Sequence, residues 1–152
     1  MKKIVLLTFI LALLLALFSS CGESNKKSAE DILLSITKDL DALPYGNLYL
    51  KSADEGEPEH LNTDAIASLY HEGATEYEFT LIEDFALYLC PKEPCEVAVF
   101  KCYSRSDTDL IAAMCLSRID MLSTALEETP YSEIPKKAKV DIKGRFVTVV
   151  MT

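Results

Sequence analysis

The chain contains no tryptophan, only two histidines and five glycines in 152 residues, and each shortage narrows the functions open to it. Lack of tryptophan weakens the case for a carbohydrate-stacking platform. His60 and His71 stand eleven residues apart, whereas a metal-binding pair on one helix prefers i, i+4 spacing, so both read as exposed side chains. A phosphate-cradling loop needs clustered glycines, and no such run is present. Gly-x-Ser-x-Gly and the zinc-protease helix motif are missing as well. Positive charge is the other scarcity. Beyond residue 20 there are thirteen basic residues against twenty-four acidic ones, a formal −11. That balance argues against nucleic acid as a partner, which requires a basic footprint. An anionic lipid surface would also repel the domain. The acidic stretch Asp54, Glu55, Glu57 and Glu59 lacks the regular oxygen spacing of an EF-hand loop and reads as solvated.

What is present begins at the amino terminus. Lys2 and Lys3 precede an apolar run from Ile4 to Phe18, interrupted only by Thr8. A basic start, a short apolar core and small residues before a cut site make a signal peptide. The run is shorter than the roughly 18 residues of a membrane-spanning helix. Ser19-Ser20-Cys21-Gly22 resembles the lipobox of bacterial lipoproteins, in which cleavage before the cysteine follows attachment of diacylglycerol to its sulfur. Phe18 stands where leucine is usual, with Leu17 beside it. The resemblance implies a signal peptide over 1–20, lipid (diacylglycerol and a further acyl chain such as palmitate) on Cys21, and a flexible polar tether over 21–28. Two or three acyl chains anchor stably where one does not. The expected location is the extracytoplasmic face of a membrane, attached by lipid alone. An ordinary secretory cut leaving Cys21 as a free thiol is the plainer alternative.

Residues 29–152 suit one domain with a modest core. Ser28 and Asp31 mark a helix start, and Ile32, Leu33, Ile36, Leu40 and Leu43 recur at helical spacing up to Pro44 and Gly46. Leu48–Leu50 suits a short extended segment. A second helix is expected from a Thr63 cap through Leu69 and Tyr70, with Gly73 at its end. From Tyr77 the period changes to two: Tyr77, Phe79 and Leu81, then Phe85, Leu87 and Leu89, as one strand bent near Glu83-Asp84 or as two. Glu96-Val-Ala-Val-Phe-Lys-Cys-Tyr is the next strand, reached through the turn Cys90-Pro-Lys-Glu-Pro-Cys95. A long helix opens at Asp107 or Thr108 and runs to about Glu128, presenting Ile111, Met114, Cys115, Ile119, Leu122, Ala125 and Leu126 to a sheet. Pro130 stops it, and Pro135 is expected to keep the following loop extended. Val140–Ile142 and Phe146–Met151 form a terminal hairpin through Lys143-Gly144. The fold class is α+β: a small antiparallel sheet packed against one long helix and shorter N-terminal helices.

Leu69-Tyr70, then Glu96-Val97-Ala98-Val99-Phe100-Lys101, an internal Arg118, Tyr131, and a closing Gly144-Arg145-Phe146-Val147 together resemble the lipoprotein family catalogued as domain of unknown function 4358. The resemblance spans roughly 65–152. It implies a lipobox-anchored, single α+β domain and supplies no mechanism. One departure stands out: such proteins carry polar residues, not cysteines, where Cys90 and Cys95 stand.

Four cysteines remain apart from Cys21. Cys90 and Cys95 flank a turn and suit a disulfide across it, the alternative being two free thiols. Their spacing is not the redox-active Cys-x-x-Cys. Cys102 and Cys115 read as small core residues, and the four do not show zinc-site spacings. Arg118 falls on the apolar face of the long helix and needs a carboxylate, with Glu96 or Glu83 the candidates, or else serves as an anion site. Tyr45, Tyr49, Tyr103 and Tyr131 are candidates for a recognition patch or for sheet-edge packing. No cofactor, metal or catalytic constellation is indicated. The leading expectation is a non-catalytic interaction module that meets an envelope protein. The alternatives are an accessory protein or enzyme acting on envelope components, and a thiol- or metal-handling protein using Cys90 and Cys95.

Overall fold

The computed structural model describes residues 26–40, 43–70 and 76–152. The signal segment expected over 1–20, Cys21, His71 and Gly73 lie outside the described residues. Among the described residues, no helix is long and apolar enough to cross a membrane.

Helix α1 (Ala29–Asp39) opens with a capping box: the Asp31 amide donates to Ser28 Oγ and the Ser28 amide to the Asp31 carboxylate, each at 3.0 Å. Two otherwise orphaned amide donors are satisfied there. The helix ends short of the expected Leu43, with Leu40 already extended at φ −90° and ψ 126°. Leu40 and Leu43 still pack against the α1-side core, so the apolar spacing is met without a helix reaching Leu43. Pro44 also disfavours helical backbone at the residue before it. Strand β1 (Asn47–Leu50) follows, then α2 (Thr63–Leu69). Its cap is Asn62 and not Thr63, with Asn62 Oδ1 accepting from the Ala65 amide at 2.8 Å.

The alternation Tyr77-Phe79-Leu81 does not form a strand. Glu76–Thr80 is a short helix, α3, and strand β2 (Ile82–Leu89) begins only after it. Three alternating positions fit one helical turn nearly as well as a strand, and tertiary context decides between them. The expected bend near Glu83-Asp84 is present as a register shift between Ile82 and Asp84. Strand β3 (Glu96–Cys102) completes a hairpin with β2. A 3-10 turn (Arg105–Asp107) leads into the long helix α4 (Thr108–Ala125), whose last turn stops before the expected Glu128. Pro135 is not in an extended loop: it lies buried in the short helix α5 (Glu133–Lys136). Proline fits a first turn, where its missing amide donor costs nothing. Strands β4 (Lys139–Lys143) and β5 (Phe146–Met151) form the terminal hairpin, and Gly144 supplies the positive φ of 64° that its turn requires.

The five strands form one antiparallel sheet in the order β1-β2-β3-β5-β4. The fold is therefore α+β. Helices cover both faces, not one. Ala29 and Leu33 of α1 pack with Ala86, Val97, Val99 and Phe146 on the first face. On the second, Ile66, Tyr70, Ile111, Met114 and Cys115 pack with Phe85, Leu87, Ala98, Phe100, Val147 and Val149. Being central and covered twice, β3 is buried at every residue. That burial includes a charge at each end, Glu96 and Lys101.

Candidate functional site

Buried charge is costly unless paired and hydrogen-bonded, and both charges on β3 are resolved within the chain. Successive strand residues point to opposite faces, so Glu96 faces the α4 side and Lys101 the α1 side.

Glu96 is the centre of the deeper cluster. Arg118, on α4, donates from Nε to Glu96 Oε2 at 2.9 Å. A second guanidinium nitrogen donates to the Leu69 carbonyl at 2.6 Å, satisfying an acceptor in the last turn of α2. The Tyr70 hydroxyl donates to the other oxygen, Glu96 Oε1. The guanidinium also lies over the Tyr70 ring, 5.3 Å from its centroid, a cation–π arrangement. That ring meets Phe100 edge to face at 5.4 Å between centroids. Burial, followed by the adjacent Glu96 carboxylate, pushes the Tyr70 phenol well above its ordinary pKa. Of the two carboxylates open to Arg118 from sequence, the structure selects Glu96, so Arg118 and Glu96 form the buried ion pair. Tyr70 was the unforeseen member. Its signals were its place at the end of the apolar face of α2 and its presence, with Glu96 and Arg118, among the residues that carry the resemblance.

Glu83 belongs to the second cluster, at the opposite end of β3. Lys101 Nζ lies 2.9 Å from Glu83 Oε1, and Arg145 NH1 pairs with Glu83 Oε2. Arg145 donates as well to the carbonyls of Cys102 and Tyr103, each at 3.1 Å. These two cations, Lys101 first, hold the Glu83 carboxyl below its usual range. The register shift at Ile82/Asp84 puts Glu83 out of the regular pairing, which lets it face both partners.

The cysteines divide by position. Cys102 and Cys115 are buried within the α4-side core. Burial raises the Cys102 thiol to about 11 and the Cys115 thiol well above its ordinary value. Cys90 and Cys95 are free thiols at the open end of the β2–β3 hairpin, Cys90 half-exposed and Cys95 buried. The Cys90 amide donates to the Cys95 carbonyl at 3.0 Å, continuing the pairing one step beyond Leu89↔Glu96. Burial, then the neighbouring Cys90 side chain, raises the Cys95 thiol to about 12.

The tyrosines do not assemble into one patch. Tyr45 and Tyr103, 79% and 60% exposed, stand at opposite ends of the sheet, since Tyr45 neighbours the hairpin end at Tyr88 and Tyr103 follows β3. Tyr49 lines a shallow groove with Leu61, Leu69 and Leu89. His60 is tied down, its Nδ1 3.0 Å from the Ala53 carbonyl. The acidic loop is folded by local turns such as Glu57 amide to Asp54 carbonyl at 3.0 Å, and Gly56 supplies a positive φ there. Among the described residues, no group of three or more potential metal ligands converges. No protein-family profile, curated protein or solved structure matches the chain.

Proposed function

We propose that the chain is exported, lipidated on Cys21, and held at the extracytoplasmic face of a membrane, where its α+β domain serves as a non-catalytic interaction module. The observation that carries this reading is how firmly the first described helix is docked. Ser28 caps α1, and Ala29 is completely buried with its amide donating to Asp84 at 2.8 Å. In sequence, a signal-like segment, a lipobox-like cysteine and a short polar stretch stand immediately before this docked helix. A tether of seven residues from Cys21 to Ser28 reaches at most ~25 Å, which keeps the domain beside the bilayer. The resemblance to domain of unknown function 4358 belongs to the same reading.

Interaction is favoured over chemistry because the ionisable groups deep in the fold serve the fold. Glu96 has both oxygens engaged, and Arg118 is divided between Glu96 and the Leu69 carbonyl. Contact with a protein partner then falls to the surface, where α4 leaves Leu110 and Leu116 exposed. Radiolabelled palmitate fed to cells should enter the wild-type chain and not Cys21→Ser, and the variant should move from the membrane pellet to the soluble fraction. A Cys21→Ser chain that stays in the pellet defeats the anchor. For the module, chemical crosslinking on intact cells should give an adduct that Leu116→Asp loses without loss of thermal stability.

A further inference from the structure

We propose that Cys90 and Cys95 are a site of disulfide exchange, oxidised in two ordered steps to a bridge that clasps the open end of the β2–β3 hairpin. The proposal uses the exported reading only for the source of oxidant, a disulfide-bearing thiol compound or protein outside the cytoplasm. The geometry itself is independent of location.

Three observations bear on it. First, the pairing Leu89↔Glu96 continues to Cys90 opposite Cys95, closed by the 3.0 Å amide-to-carbonyl bond. Directly opposed residues on antiparallel strands have Cα atoms ~4.5–5.5 Å apart, within the ~4.4–6.8 Å range that a disulfide spans. Second, the two thiols are electrostatic neighbours, since Cys90 adds to burial in raising the Cys95 thiol. Third, the sulfurs differ in access: Cys90 is half-exposed and contacts the Pro44 carbonyl at 3.7 Å, whereas Cys95 is 3% exposed.

That difference sets the order. Cys90, as thiolate, attacks one sulfur of the incoming disulfide, forms a mixed disulfide and releases the first partner thiol. Cys95 then gives up its proton and attacks Cys90 Sγ, expelling the second partner thiol. One external disulfide is reduced to two thiols, and Cys90 and Cys95 together lose two hydrogens. Cys102 and Cys115, fully enclosed in the core, are out of reach of the same oxidant.

The clasp sits where it matters to the rest of the molecule. Leu89, beside Cys90, lines the groove with Tyr49, Leu61 and Leu69. Glu96, beside Cys95, carries Arg118 and Tyr70. Oxidation therefore stiffens the strand ends that hold both.

The test uses the full chain in detergent, incubated with oxidised glutathione, denatured without reductant, alkylated and mapped by mass spectrometry. The expected product is a Cys90–Cys95 peptide lighter by two hydrogens, with Cys102 and Cys115 alkylated. Cys95→Ser should stall as a glutathione adduct on Cys90. Cys90→Ser should leave Cys95 at least ~10-fold slower to modify than Cys90 is in the wild type. Oxidised protein should melt higher than reduced protein by several degrees, up to roughly 10 °C, and this gap should vanish in Cys90→Ser. Alkylation of all four thiols, or a bridge between Cys102 and Cys115, overturns the proposal with no variant needed. The anchor reading fails by a different sign, retention of Cys21→Ser on membranes.

Discussion

Arg118 is the residue whose removal should cost the most. Arg118→Met leaves the Glu96 carboxylate buried with only the Tyr70 hydroxyl on one oxygen, and breaking a buried pair from one side costs ~3–5 kcal/mol. Urea unfolding should show that loss. Replacing all three polar members, in Tyr70→Phe/Glu96→Leu/Arg118→Met, should cost less than the single change, because no orphaned charge remains. A single variant within ~1 kcal/mol of wild type would show that the cluster is not structural. Glu83 yields a prediction with a sign in pH. Lys101 and then Arg145 lower its folded-state pKa below the ordinary 4.5, so its contribution is present above about pH 4.5 and is lost as pH falls through the folded value. The stability gap between wild type and Glu83→Gln should therefore be constant near neutrality and shrink in acid. A gap that widens in acid would contradict the assignment. Glu83 is partly solvent-exposed, so the effect is expected to be modest.

At the scale of elements, the sequence is legible where one pattern outweighs its rivals. Ile111, Met114 and Cys115 recur on one helical face and are all buried. Val97–Phe100 is an unbroken apolar run, and the strand it forms is covered on both faces. Tyr77, Phe79 and Leu81 misled because three alternating residues are too few to separate a strand from a helical turn. The long apolar spacing of the first helix misled differently: Leu40 and Leu43 meet the core from beyond the helix end at Asp39. Arg118 announced its need of an anion, yet only the fold chooses between Glu96 and Glu83. Local elements can also be tested. Ser28→Ala removes the acceptor for the Asp31 amide and should cost ~1 kcal/mol in a denaturant titration. Gly46 lies against the hairpin end: an added Cβ would stand 2.6 Å from the Tyr88 ring and 2.9 Å from the Leu89 carbonyl. Gly46→Ala should thus destabilise by roughly 1–3 kcal/mol through overpacking. Tyr88→Leu in the same chain should recover part of it, whereas an unchanged melting temperature in Gly46→Ala would refute the close approach.

For the whole molecule, the strand order carries a consequence in time. Synthesis delivers the amino terminus first, yet central β3 has β2 on one side and the later strand β5 on the other. Until residues 146–151 arrive, β3 presents a row of unsatisfied amides and carbonyls, the kind of edge that seeks another chain. Nor can Val147 and Val149 contribute to the α4-side core before then. Ending the chain at Lys143 should therefore yield aggregated or degraded protein, not a slightly shortened domain, as read by gel filtration and protease resistance. A soluble, protected truncation would show that the domain folds without β5. On the anchored reading, β3 waits beside the membrane with one edge open until β5 arrives to close the fold.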